Sequence, residues 1–364
     1  MDRRMNVMRS NYFKSSLRVA VAFVLVWGTS NIGSAKENFS NSVSFKSICE
    51  GQAVNLNRVT VDENIVYQAL RQDNPDFSRL PCSELDSYVS AIPELNLARK
   101  GISGVGWLIR FGNLRKLNLA ENKISSVKNM PVLSQLEDVD IGWNRLDNVD
   151  NILSQPKLKQ FLASDNEIKE VNIEMGGEFL ENIVLSLNPI SKFTVKKILA
   201  SLKELDIGES PPTDGFHSGL VYKFSVFFGI CRLELSNVQF LKLMPNLEKL
   251  RIGYASLKDI ESVSELNSLK DLNFNLNHIS NIAPLAKLNR LITLRLAKNR
   301  IEDISALAGL QNLKKLNISD NKIRDFLPLE SLYNLEELMP YGNNHNTGAF
   351  KCPCTNKLKC KCSY

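Results

Sequence analysis

The chain is poor in the residues of catalysis. Histidine occurs three times, as His217, His278 and His345, and none belongs to an HExxH-type pair that could hold a catalytic zinc. There is no Gly-x-Ser-x-Gly elbow and no Walker loop, so two common arrangements for nucleophilic and phosphate chemistry are missing. Gly101, Gly104 and Gly106 are spaced loosely like a phosphate loop. They fall in a return segment, where a tight turn accounts for them. These absences argue against an enzyme, and no cofactor is expected.

A bilayer-spanning apolar run is also missing. The run at 19–28, VAVAFVLVWG, is half of the ~20 residues that a spanning helix needs. Basic residues precede it up to Arg18, and Gly33-Ser34-Ala35 follows it. That order reads as a secretory signal peptide over 1–35, with an uncleaved anchor as the alternative. No cysteine stands at the cleavage point, which argues against a lipoprotein. The rest of the chain is expected to be secreted or periplasmic, with no stable membrane span after cleavage.

Positive charge is scarce outside the two ends. The formal net charge is +6. Residues 1–18 and the last fourteen residues contribute +4 each, which leaves the body near −2. A nucleic-acid binder concentrates positive charge on its folded face, so no nucleic-acid partner is expected.

Asparagine, by contrast, is present in strict register. Asn122, Asn144, Asn166 and Asn188 are spaced by 22 residues, and so are Asn277, Asn299, Asn321 and Asn343. Apolar residues stand five and three before each asparagine and, for all but Asn343, two and five after it. LRKLNLAENKISSV (114–127), LITLRLAKNRIEDI (291–304) and LKKLNISDNKIRDF (313–326) are three copies. Such a repeat is one strand and one return segment, stacked on its neighbours into a solenoid. In the 277 repeat, Ile279, Ile282, Leu288 and Leu291 should fill the return side. The asparagine amides should turn inward and satisfy backbone groups where the chain leaves the strand.

The frame extends to positions without asparagine. Lys100, Ser210 and Ala255 keep it. The interval from 210 to 255 equals two repeats plus one residue, and a further unit fits at Leu233. Phe228 and Ile230 stand before it, and Leu235, Val238 and Leu247 after it. Twelve frame positions result, with the extra residue in the Pro/Gly-containing stretch 211–227.

This 22-residue pattern resembles internalin-type and phosphatase-regulator-type leucine-rich repeats. With a signal peptide and a helical cap it is most similar to secreted bacterial internalin-like proteins. The resemblance covers about residues 82–343. It implies an α/β solenoid: a leucine-rich-repeat horseshoe with short parallel strands on the concave face, a helical N-terminal cap and a Cys-rich tail. The expected divisions are a signal peptide at 1–35, a cap at 36–93, a solenoid of about 11–12 repeats at 94–343 and a tail at 344–364. Neither an immunoglobulin-like domain nor an LPxTG-type wall anchor follows the array, so a host-receptor role is not carried over.

In the cap, 62–72 and 82–92 read as helices, the second with Ser83 as N-cap, while 36–48 read as loose. Cysteine is confined almost entirely to the ends. Cys49 and Cys82 should pair within the cap. Cys352, Cys354, Cys360 and Cys362 should form a disulfide hairpin, with Cys352–Cys362 and Cys354–Cys360 as the favoured ladder. Zinc bound through the four thiolates, with His345 nearby, is the alternative. Cys231 occupies a slot held elsewhere by small residues such as Ala120 and Gly142, and reads as a free thiol.

Residues four and one before each frame position should face a partner. Most are polar. Trp143, Leu162, Val184 and Leu187 come from consecutive repeats and should form one apolar patch. Tyr254 and Leu276, beside Arg251 and Arg295, should form a second. Exposed aromatics with arginine have the composition of binding hot spots. The expected function is non-enzymatic recognition of a protein or peptide. The alternatives are a self-associating envelope protein and metal binding through the tail.

Overall fold

The computed structural model describes residues 44–51, 61–208, 235 and 238–343. Four α-helices open this region: α1 (Phe45–Cys49), α2 (Val61–Asp73), α3 (Pro75–Arg79) and α4 (Leu85–Ala91). Ser44 caps α1 by accepting from Ser47 N, and Asn74 caps α3 by accepting from Asp76 N and Phe77 N. The stretch 36–48, expected to be loose, thus contains most of a capped helix. Ser83 is not a helix cap. It lies inside a 3-10 turn, Cys82–Glu84, and α4 starts without a side-chain cap.

Phe45, Tyr67, Phe77 and Phe111 form an aromatic cluster with ring centroids 6.0–6.5 Å apart. Phe111 belongs to the first repeat, so this cluster seats the cap on the array. Asp62 accepts from Ser103 N at 2.8 Å. Glu63 and Arg110 form an ion pair at 2.9 Å with side-chain exposures of only 6% and 10%. Gly104 permits the close approach, because a Cβ there would lie 3.1 Å from Asp62 Oδ2. Cys49 and Cys82 are disulfide-bonded, with Cα atoms 5.6 Å apart.

The array consists of short strands. They are β1 (Glu94–Asn96), β2 (Lys116–Asn118), β3 (Asp138–Asp140), β4 (Gln160–Leu162), β5 (Glu170–Ile173), β6 (Asn182–Val184) and β7 (Lys192–Val195). Then come β8 (Glu204–Asp206), β9 (Lys249–Arg251), β10 (Asp271–Asn273), β11 (Thr293–Arg295), β12 (Lys315–Asn317) and β13 (Glu337–Met339). Eleven of these form one parallel sheet in the order β1-β2-β3-β4-β6-β8-β9-β10-β11-β12-β13. The central residue of each strand is buried, from Leu95 and Leu117 through to Leu316 and Leu338, and its neighbours on the strand face the other way. The return side buries Ile279, Ile282, Leu288 and Leu291 as the frame requires. Each such side chain contributes about 1.5–3 kcal/mol on burial, and only when neighbouring repeats are stacked. β5 and β7 form a second, two-stranded parallel sheet on the return side, which the 22-residue frame does not announce.

The asparagine ladder is as expected. Asn144 is typical: its Oδ1 accepts from Ile124 N at 2.9 Å, and its Nδ2 donates to Leu119 O, Ile141 O and Gly142 O at 3.0–3.1 Å. One side chain thereby joins two repeats.

Among the described residues no strand stands between β8 and β9, where the frame places one through Phe228 and Ile230. β8 pairs directly with β9, with Leu205 opposite Leu250. The two backbones are too close to admit a strand between them. Ile207 N donates to Arg251 O at 3.0 Å, and a Cβ on Gly208 would sit 2.6 Å from Gly253 N. The expected return residues Leu235, Val238 and Leu247 are nonetheless buried. They close the repeat that β8 begins, so one repeat carries an insertion at its frame position. Residues 209–234, which include Cys231, lie outside the described residues, as do residues 1–35, expected to be a signal peptide, and the four tail cysteines Cys352, Cys354, Cys360 and Cys362.

Candidate functional site

The strands present two rows of side chains on the face opposite the core. Six before the frame position stand Glu94, Lys116, Asp138, Gln160, Asn182, Glu204, Lys249 and Asp271. Four before it stand Asn96, Asn118, Asp140, Leu162, Val184, Asp206, Arg251, Asn273 and Arg295. Residues within each row are direct cross-strand partners, roughly 5 Å from one repeat to the next.

A third row stands one before the frame position, and its backbone is unusual. Arg99, Glu121, Trp143, Asp165, Leu187, Tyr254, Leu276, Lys298 and Asp320 all have φ between +53° and +62°, and Gly342 has +70°. Left-handed geometry disfavours residues with a Cβ, large apolar ones most of all. Except after Arg99 and Tyr254, the next residue is an asparagine bonded to three carbonyls of two repeats, which holds the turn; Lys100 N and Ala255 N instead donate to Asn122 and Asn277 of the following repeat. The side chains of this row are thereby fixed along one rim of the sheet.

The structure places the residues of the first apolar patch in three successive repeats. Leu162 and Val184 are register partners. Trp143 is 39% exposed, and Leu187 stands two repeats along the same rim. Asp165 lies between Trp143 and Leu187. Its Oδ2 is shut off from water and has no hydrogen-bond partner, and burial raises its pKa above the ordinary carboxylate range. Beside the patch an open groove of about 450 Å³ runs over β1 to β4, lined by Asp138, Asp140 and Leu162 among others.

The second patch has a different character. Tyr254 and Leu276 are neighbours on the rim, half-buried. Arg251 and Arg295 are bound within the chain. Arg251 reaches Glu204 at 2.9 Å, Asp206 at 3.6 Å and Asp271 at 3.3 Å, and Arg295 reaches Asp271 at 2.7 Å. Lys249 also pairs with Glu204, at 3.2 Å. The arginines, expected as contact residues, thus cross-link β8 to β11. Asp206 is buried deeply enough to push its pKa up to about 6, against the lowering effects of Gly208 N and Arg251.

Because β8 adjoins β9, the two patches are closer than the twelve-position frame implies. Two repeat steps, about 10 Å, separate the rim positions of Leu187 and Tyr254, rather than three. The acidic residues Asp138, Glu204 and Asp271 escaped the sequence reading because only the positions four and one before the frame were followed. Extending the strand alternation by two residues would have found them.

Comparison with known proteins agrees with this architecture. The leucine-rich-repeat family, as a two-copy unit, matches residues 289–331. No curated protein sequence matches the chain. Among solved structures, an internalin from Listeria monocytogenes is similar at 19% identity and a TM-score of 0.58, over 76% of this chain and 82% of that one. The functional domain of InlJ from the same organism, described as including a cysteine ladder, is similar at 17% identity and a TM-score of 0.57. That match covers 71% of this chain and 51% of the other, about half its length. A leucine-rich-repeat protein of Leptospira interrogans is similar at 20% identity and a TM-score of 0.53, over 72% of this chain and 70% of that one. The structure and these likenesses together establish a leucine-rich-repeat solenoid with a helical, disulfide-bonded N-terminal cap.

Proposed function

We propose that this chain is a non-enzymatic recognition module that binds a protein or peptide on the strand face of its solenoid. The observation that supports the reading is that Trp143, Leu162, Val184 and Leu187 fall in three successive repeats of an otherwise polar face, with Leu162 and Val184 as cross-strand partners. Neighbouring apolar groups on a protein surface mark contact sites, and an exposed aromatic anchor among them has the form of a hot spot. Tyr254 and Leu276 extend the same rim. Arg251 and Arg295 would border the contact while holding the sheet. Burial of a repeat array depends on stacking, so the face is rigid before a partner arrives and little ordering cost is added on binding.

Export accompanies this reading. The Cys49–Cys82 bond suits an oxidising compartment, and residues 1–35 have the order of a signal peptide. Among the described residues no helix is long and apolar enough to cross a membrane. Affinity capture with the full chain, alongside Trp143→Ala and Tyr254→Ala, tests the proposal. A protein retained by the wild type and lost from both variants, at unchanged melting temperature, supports it. Equal retention by all three contradicts it.

A further inference from the structure

We infer that the partner segment on this face is cationic and apolar together: a peptide stretch placing a lysine or arginine at Asp138 and Asp140 and hydrophobic side chains on Trp143, Leu162, Val184 and Leu187. The inference rests on the recognition reading above and adds the chemistry of the ligand.

The argument is one of unmatched charge. Along β1 to β8 most charges of the strand face are answered within the chain. Lys116 is held by Glu94 at 2.9 Å, Arg99 by Glu121, and Glu204 and Asp206 by Arg251. Asp138, Asp140 and Asp165 have no ion pair among the described residues. Lys116 and Lys159 act on Asp138 only through space, since their ammonium groups are bonded elsewhere, Lys116 to Glu94 and Lys159 to Glu137 at 2.7 Å. Asp140 accepts only the Gly142 amide, at 3.1 Å. These three carboxylates fall in two adjacent repeats, the same two that carry Trp143 and Leu162. Asp140 is the direct cross-strand partner of Leu162, so charge and apolar surface share one row. Asp165 lies between Trp143 and Leu187 in the rim row, but its oxygen without a partner is already shut off from water, so Asp138 and Asp140 are the carboxylates open to a partner. An isolated carboxylate beside apolar surface loses hydration when a partner covers it, and a cationic donor offsets that loss. An acidic or purely apolar segment would leave the carboxylates of Asp138 and Asp140 desolvated and unmatched. A basic side chain with apolar neighbours satisfies both parts of the row, its methylene stem lying on Leu162.

The test is selection of random displayed peptides on the immobilised full chain. Enriched sequences are then titrated as synthetic peptides against wild type, Asp138→Asn/Asp140→Asn and Trp143→Ala. The expected consensus joins Lys or Arg to Leu, Phe or Trp. Its affinity should fall about tenfold or more in each variant, and also on raising salt with the wild type, which needs no variant to fold. Neutral or acidic peptides that depend on Trp143 would overturn this inference and leave the strand-face reading standing. Basic peptides indifferent to the Asp138→Asn/Asp140→Asn change would also overturn it. No enrichment at all would overturn this inference, and peptides indifferent to Trp143→Ala would overturn both.

Discussion

Glu204 and Lys249 are direct cross-strand partners, with Oε2 and Nζ 3.2 Å apart, although 45 residues separate them in the chain. The sheet passes directly from β8 to β9, and Leu235, Val238 and Leu247 complete the return side of the repeat that β8 begins. Deleting residues 211–233 would restore 22-residue spacing and place Leu235 two after Ser210. The shortened chain is expected to fold, with a melting temperature within about 4 °C of the full chain. Loss of the cooperative transition would mean that the deleted stretch is a structural part of the array.

That insertion also marks where sequence periodicity fails. The buried strand and return positions were legible because each apolar residue recurs at a fixed offset from an asparagine. Phe228, Ile230, Leu235 and Val238 keep those offsets, and an interval of two repeats plus one residue imitates two intact repeats. Periodicity records side-chain spacing. It does not record whether the chain pairs with the sheet, and here the contact of Gly208 with Gly253 decides that. The left-handed rim was equally hidden, since Trp143, Leu187 and Tyr254 are not residues that favour positive φ. The Arg251 network was hidden because it runs diagonally, from the row four before the frame to the row six before it. Ser44 and Asn74 did carry a legible capping signal that went unread.

The asparagine ladder should be worth more than one hydrogen bond per repeat. Asn166 accepts from Leu146 N at 2.9 Å and donates to Ile141 O and Ala163 O at 3.1 Å, all in buried surroundings. Asn166→Ala leaves these backbone groups unsatisfied. A loss of about 3 kcal/mol is expected in urea denaturation. A loss below about 1 kcal/mol would show that the turn holds itself.

Asp206 should make stability depend on pH. Its folded pKa of about 6 lies above the ordinary value of 3.8, with burial as the main cause. The folded state therefore binds the proton more tightly than the unfolded chain. The contribution favours folding most below pH 4, declines as pH rises from about 4 to 6 and is flat above, a span of roughly 3 kcal/mol. Asp206→Asn should flatten that decline in denaturation midpoints measured across the range. An unchanged slope would assign it to other groups.

The cap should depend on its disulfide. Cys49 and Cys82 close a loop of 33 residues, and chain-entropy arguments give such a bond about 3–4 kcal/mol. Cys49→Ala/Cys82→Ala should lower denaturant stability by that order and leave the asparagine ladder of the distant repeats protected in hydrogen exchange. Uniform loss of protection would instead show that cap and array unfold as one.

The central claim is that partners meet the strand face at Trp143. A photoreactive phenylalanine analogue placed at position 143, and separately at Tyr333, which is 78% exposed outside the strand rows, tests it most directly. After irradiation with proteins of the compartment the chain enters, adducts identified by mass spectrometry should form from position 143 and not from position 333. Adducts from position 333 alone, or equally from both, would contradict the account.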